Sequence, residues 1–370
     1  MTTTIDNEQK TLNVPNLRFP EFEGEWQKCR LGDVCNTSTG NKNTQDKTDD
    51  GIYPFYVRSQ TVERINSWTF DGEAILTAGD GVGVGKVFHH TYGKIGVHQR
   101  VYILSDFKCD ANYLFHFFSS KFYNRVKRMS AKNSVDSVRK EMITDMPLSL
   151  PCCQEQVKIG YMLSILDERI STQNKIIEEL KKLKVCVRRL IFRTLNCSWF
   201  LLSELEANGD ICLKRGNIIP KHEHTDIFCY PVYSSSVQNG GLMGYNNTYM
   251  FNTELVTWSI DGGGNFFYRH KHKFNVTNVS GYMQLNEAKY NYRFVSEILL
   301  WQHSFMVFDY QTKAHPSVIR SIYKLPDVSL AEQELIANIF RLLDVKLQNE
   351  MTILKQYQQQ KQYLLRQMFI

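Results

Sequence analysis

The sequence has no apolar run near the ~18 residues that a bilayer-spanning helix requires, so it offers no transmembrane candidate in its 370 residues. Its opening, Met1 to Lys10, is polar and carries Asp6 and Glu8, which is unlike a secretory signal. Cysteine is present nine times, an odd number, without any C-x-x-C pair and with Cys152 and Cys153 adjacent. That usage argues against a disulfide framework or a zinc site and fits a reducing, cytoplasmic setting. Signatures of catalysis are missing as well. There is no N-P-P-Y or D-P-P-Y tetrapeptide, as an amino-methyltransferase needs, and no G-x-S-x-G. Two E-x-K triplets, Glu179–Lys181 and Glu287–Lys289, have no convincing upstream acidic partner and are read as chance.

The glycine-rich stretch Gly79-Asp80-Gly81-Val82-Gly83-Val84-Gly85-Lys86 fails as a phosphate loop. Asp80 stands where the first glycine belongs, and Val87 follows the lysine in place of Ser or Thr. It also fails the G-x-G-x-x-G pattern. A glycine-rich hairpin between strands remains, in which the backbone could approach a ligand and Lys86 could meet a phosphate.

What the chain does have is a repeat, at the offset that carries Ile159 onto Ile336, clearest in two helical seams. The first runs Ile159, Leu163, Leu166, Ile170, Gln173, Ile177, Leu180, Lys184, Val187, Ile191. The second runs Ile336, Phe340, Leu343, Leu347, Glu350, Leu354, Tyr357, Lys361, Leu364, Met368. Alternating steps of four and three are heptad spacing. The polar interruptions Gln173/Glu350 and Lys184/Lys361 coincide, and polar residues at core positions fix register at some cost in stability. A helix from residue 154 to 192 would be roughly 58 Å long, and one apolar stripe of that length needs a partner. The obvious partner is its own copy. Related by a two-fold, the two helices would form an antiparallel coiled coil with globular parts at opposite ends.

Those globular parts echo each other more faintly. Tyr53-Pro54-Phe55-Tyr56 matches Tyr230-Pro231-Val232-Tyr233 at the same offset. The Asp80-Gly81 and Asp261-Gly262 turns follow apolar strand patterns at a slightly larger one, as a loop of different length between the landmarks requires. The expected class is α+β, with two strand-rich, α/β-type domains in pseudo-two-fold arrangement. The expected boundaries are a tail over 1–25, domains over 26–150 and 196–325, and helices over 151–195 and 326–370.

A net charge of +6 permits nucleic-acid binding without demanding it. The candidate contacts are local. Lys121, Arg125, Lys127, Arg128, Lys132, Arg139 and Lys140 cluster around Ser130-Ala131-Lys132-Asn133-Ser134, a loop of small donors suited to phosphates and base edges. The loops after the Tyr-Pro-x-Tyr segments add Arg58, Ser59, Gln60, Ser234, Ser235, Ser236, Gln238 and Asn239. Arg269, Lys271 and Lys273, with Tyr268 beside them, form a basic strip. His222, His224, His270 and His272 lack a metal-ligand spacing and have lysines beside them, so no metal is expected.

The segments Val14-Pro15-Asn16-Leu17-Arg18-Phe19-Pro20-Glu21-Phe22, Gly24-Glu25-Trp26 and Leu31-Gly32-Asp33-Val34 resemble the N-terminus of specificity (S) subunits of type I restriction–modification enzymes. The helices carrying Glu155-Gln156, Leu166-Asp167 and Arg188-Arg189-Leu190-Ile191-Phe192 resemble that family's spacer regions. The resemblance covers essentially the whole chain. It implies two target-recognition domains, each reading half of a split site in double-stranded DNA, and a helix pair acting as a ruler that docks two methyltransferase (M) subunits. It also implies motor-nuclease (R) subunits in the full complex, S-adenosylmethionine held by the partner methyltransferases and no cofactor here, and no catalytic role for this chain. Exposed apolar helix surface at Ile165, Ile176 and Ile353 is the expected docking face. The alternative from another class is a coiled-coil adaptor whose globular ends bind proteins.

Overall fold

The computed structural model describes residues 12–130, 137–219, 229–236, 238–261, 263–306 and 313–370. It divides into two compact units, Met1–Asn174 with Thr352–Ile370, and Lys175–Met351. Two long helices, α4 (Cys153–Thr194) and α8 (Leu330–Met368), each contribute one part to either unit. No helix among the described residues is long and apolar enough to cross a membrane.

The first unit is built on a six-stranded sheet of β2 (Asn36–Thr39), β7 (Val101–Ser105), β5 (Phe70–Ala78), β6 (Phe88–Val97), β3 (Tyr53–Tyr56) and β4 (Val62–Ile65), in that spatial order. Only β3 and β6 run parallel, joined at Phe55↔Gly96 and Tyr56↔Val97. A two-stranded ladder of β1 (Gln27–Arg30) and β8 (Pro147–Leu150) closes the base, with the short helix α1 (Leu31–Val34) following β1. Ala74 to Ala78 are all buried because β5 is covered on both faces. Alternation sends Ile75 to the helical side, with Leu104, and sends Ala74 and Leu76 to a second core with Val97 and Ile103.

Helix α2 (Ala111–Met129) supplies that helical side. Asp110 caps it by accepting from the Tyr113 N–H, and Leu114, Phe117, Phe118, Phe122 and Val126 form one apolar face. Lys127 and Arg128 lie in its last turn, where a positive charge suits the helix dipole. The same core takes Ile159 and Leu163 from α4 and Leu365, Met368 and Phe369 from the end of α8.

The second unit repeats this design strand for strand. Its sheet orders β10 (Ile211–Arg215), β15 (Ser280–Leu285), β13 (Phe251–Ser259), β14 (Phe266–Val276), β11 (Tyr230–Tyr233) and β12 (Leu242–Asn246), again with one parallel pairing, Val232↔Asn275. The base ladder pairs β9 (Trp199–Leu201) with β16 (Lys324–Pro326), and α5 (Leu202–Ala207) follows β9. The helix on the sheet is α6 (Tyr292–His303), capped by Asn291. In both units a short helix precedes the last strand, α3 (Lys140–Thr144) and α7 (Pro316–Ile322).

The heptad seam holds within each unit taken by itself. In the first, Lys361 bonds Asp167 and the Arg169 guanidinium lies 5.9 Å from the Tyr357 ring, so positions advance on one helix as they fall on the other. In the second, Lys184 Nζ is 2.6 Å from Asp344 Oδ1, the Arg188 guanidinium lies 5.9 Å from the Phe340 ring, and Phe192 stacks on Phe340. Both helix pairs are antiparallel. The apolar seam residues Leu163, Leu166, Ile170, Ile177, Leu180, Phe340, Leu343, Leu347, Leu354 and Leu364 are all buried or half-buried. The interrupting lysines are the two that reach the aspartates.

Gln156 and Gln333, equivalent positions of the repeat, do one job in the two units. The Gln156 side-chain oxygen accepts from the Asp110 N–H at 2.9 Å and its amide donates to the Pro151 carbonyl. The Gln333 oxygen accepts from the Asn291 N–H at 3.0 Å while its amide donates to the Lys289 and Val328 carbonyls. Each long helix is thereby clasped to the cap of the helix lying on its own sheet. Their neighbours differ. Buried Glu155 is gripped by Arg18 of the N-terminal segment, whereas Glu332 closes a capping box with Ser329.

Candidate nucleic-acid interface

In the first unit, three connections meet at one end of the sheet. The chain after β5 does not make a tight hairpin at Asp80-Gly81, as the sequence suggested; residues 79–87 form a longer loop in which Val84 is buried and Val82 exposed. Gly81 and Gly85 have φ of 76° and 63°, which a side chain would strain. Asp80 anchors the loop. Its carboxylate accepts from Arg58 Nη1 at 2.9 Å and lies 3.7 Å from Arg100 Nε, while its backbone bridges to Ser137. Arg58, Ser59 and Gln60 are on the β3–β4 connection, with Ser59 and Gln60 touching His89 and the Phe88 carbonyl. Lys86 is exposed, its ammonium 5.2 Å from the Tyr123 ring. A cavity of about 520 Å³ opens among Thr39, Asp80, Gln99, Arg100, Tyr102 and Ser137.

The basic cluster of α2 separates by role. Lys121 donates to the Phe369 carbonyl and Arg125 to the Met142 carbonyl; burial lowers the pKa of both. Lys127, Arg128 and Arg139 are exposed, Arg139 at the start of α3. Lys132, Asn133 and Ser134 lie outside the described residues, as do His222 and His224. Arg100 and Gln99, in the turn between β6 and β7, were not singled out from the sequence. Two adjacent polar residues between strand patterns carry no signal of which end of a sheet they occupy.

In the second unit the expected basic strip over 269–273 is interrupted, because these residues are a strand and not a loop. Alternation along β14 sends successive side chains to opposite faces. Arg269 is buried, its guanidinium 3.7 Å from the Tyr233 ring and 4.8 Å from that of Phe267, with Nε bonded to Thr257. Burial lowers its pKa to about 10. It underlies the loop bearing Ser235, Ser236, Gln238 and Asn239, since a Cβ on Gly241 would sit 3.4 Å from Arg269 Nη2. Asn239, Gly240 and Gly241 all have positive φ there. Tyr268 bonds Glu254, and Arg293 lies over its ring at 4.3 Å. Burial is the first cause raising the Tyr268 pKa. Lys271 and Lys273 form no ion pair among the described residues, and the Lys273 ammonium lies 4.7 Å from the Tyr249 ring. Asp261, at the position of Asp80, pairs with Lys313 at 3.0 Å. No group of His, Cys, Asp or Glu among the described residues could hold a metal.

The fold is a tandem one: a single sheet-and-helix module made twice, with unlike side chains on the two sets of connections. Comparison with known proteins makes this specific. The family model described as "Type I restriction modification DNA specificity domain" matches residues 23–182 and again 203–359, and the chain belongs to that family, a specificity module without a catalytic role. Among curated relatives, the type I restriction enzyme EcoDI specificity subunit of Escherichia coli is 27% identical over 159 residues, 43% of this chain and 35% of that protein. The MjaVIII specificity subunit of Methanocaldococcus jannaschii is 29% identical over 199 residues, 50% of this chain and 45% of that protein. The chain thus spans less than half the length of these relatives. The crystal structure of the type I restriction-modification S subunit from M. genitalium has the same fold, with a TM-score of 0.68 over 96% of this chain and 99% of that one at 16% identity.

Proposed function

We propose that this chain is the DNA sequence-specificity subunit of a type I restriction–modification complex. The observation that carries the reading is the doubled module whose two frames agree strand for strand while their loop residues differ. Two such modules suit a bipartite target read as two unlike halves, with Arg58, Gln60, Lys86, Gln238, Asn239, Lys271 and Lys273 as contacts to base edges and phosphates. In this reading the domains span 26–150 and 196–325. The helices over 151–195 and 326–370 set the distance between half-sites and dock two methyltransferase subunits. Exposed Ile176 and half-buried Ile165 and Ile353 are part of that docking face. Those partners hold the S-adenosylmethionine, motor-nuclease subunits complete the complex, and the assembly is cytoplasmic.

Methylome sequencing of strains with and without the gene tests this. One bipartite methyladenine motif should vanish with the gene; an unchanged methylome refutes the reading. In the same assay, a heptad inserted after Leu180 and another after Tyr357 should widen the gap between half-sites and leave their sequences intact. An unchanged gap would sink the ruler while sparing the specificity role.

A further inference from the structure

Asp80 and Asp261 occupy one position in the repeated fold, just beyond the end of β5 and of β13. Around them the units diverge: Arg58 and Lys86 belong only to the first, the positive-φ run Asn239–Gly241 only to the second. The carboxylate is nevertheless retained, and in both units it is paired with a cation from a different connection. Asp80 takes Arg58 at 2.9 Å from the β3–β4 connection and Arg100 at 3.7 Å from the β6–β7 turn. Asp261 takes Lys313 at 3.0 Å, on the segment leading into α7. These carboxylates sit among the candidate contact residues, where an anion would repel a DNA backbone. Arg58, Arg100 and Lys313 are also well exposed, so their pairing adds little to stability.

We propose that Asp80 and Asp261 are positioning residues that restrain nonspecific DNA binding, a proposal that rests on the DNA-reading function above. Each holds its loop cations as an internal counter-ion, in place of a phosphate. A random duplex must displace that carboxylate and accept its repulsion. A matching half-site meets the same penalty but offsets it with base contacts, so only the wrong sequences are left weakly bound. Because counterion release makes binding salt-dependent in proportion to the phosphates neutralised, freeing a cation must show in the salt slope. A carboxylate with a purely architectural role would leave no such mark.

The test measures binding of the full chain to a short mixed-sequence duplex across a salt series, by fluorescence anisotropy. Asp80→Asn should bind this nonspecific duplex about fivefold more tightly at low salt, the size of one charge interaction near water. Its slope of log affinity against log salt should steepen by about 0.9 for each cation released to a phosphate. Asp261→Asn, which releases only Lys313, should steepen it by one such step. Asp80→Glu, which keeps the charge, should follow the wild type. Equal slopes, or weaker binding in both asparagine variants with unchanged melting temperatures, overturn the proposal while leaving DNA recognition intact. A wild-type chain that binds no duplex at low salt overturns both.

Discussion

Position 116 of the first unit and position 297 of the second are equivalent on the helix that lies against the sheet, yet one is a neutral ring and the other a buried anion. His116 is 1% exposed; its Nε2 lies 3.2 Å from Ser164 Oγ, and its Nδ1 is 3.7 Å from an aspartate already bonded to Lys361. Burial, then Lys361, pushes the His116 pKa down to about 3, so the ring is uncharged near neutrality. Glu297 is equally buried but holds Lys184 at 3.1 Å and Arg188 at 2.5 Å, while Asp344 holds Lys184 and Arg293. The residue matching Arg188 in the first unit is Leu365, which joins the apolar core. The difference teaches that the backbone frame is indifferent to the chemistry of this site provided each side is internally matched: a neutral ring with a leucine, or a carboxylate with an arginine. A mixed pair would bury an unpaired charge, which costs several kcal/mol.

A second swap makes the same point with shape. The linker ahead of the last short helix docks by one carbonyl in each unit. In the first, the Tyr102 hydroxyl of β7 donates to the Val138 carbonyl at 2.9 Å; in the second, the Trp258 indole N–H of β13 donates to the Ala314 carbonyl at 2.8 Å. Tyr102 faces Thr77 across the strands and Trp258 faces Gly281, so the aromatic has changed strands while the bond has stayed. Gly281 is required, because a Cβ there would fall 2.1 Å from the Trp258 ring.

These pairings are open to disruption. Trp258→Thr should destabilise the second unit by about 3–5 kcal/mol in denaturant unfolding. Adding Gly281→Tyr should recover a good part of that loss by installing the first unit's solution; no recovery in the double-mutant cycle would show that the two arrangements are not interchangeable. Glu297→Ala should cost about 3 kcal/mol by leaving Arg188 unpaired, and Arg188→Leu in the same chain should return part of it. If the second change deepens the loss, the matched-pair account fails.

The smallest effect is the acid response of the first unit. An unfolded histidine titrates near 6.5, whereas His116 in the fold does not protonate until about 3. Its contribution is therefore intact above 6.5 and is lost as the pH falls below that value. Between pH 7 and 5 this amounts to about 2 kcal/mol. His116→Gln should flatten that part of the stability–pH curve, and an unaltered curve would show that the acid response originates elsewhere.

The seam was readable because heptad spacing is a one-dimensional property, and so was the pairing of the two helix copies. Even the polar breaks at Lys184 and Lys361 were visible, although not their partners Asp344 and Asp167, which depend on helix phase across two chain segments. Strand positions were readable where β-branched and aromatic residues cluster, as at Glu254–Ser259. The segment 269–273 reads as one continuous basic strip because its charges obscure a strand, whose ladder to β13 is set by tertiary pairing at Leu255↔Arg269. The grouping of Arg58, Asp80 and Arg100 was out of reach, since it joins three connections that lie far apart in the chain.

The glutamine clasps at the foot of the long helices carry a mechanical consequence. A helix that slid by one residue would move its glutamine about 1.5 Å along the axis. That is far enough to lose a bond of 2.9 or 3.0 Å to the neighbouring cap. Gln156 and Gln333 thus behave as detents: each locks the helix of its own unit into one axial notch and converts a potentially sliding contact into a stepped one. A length error introduced into either helix should then be resolved by whole turns or not at all.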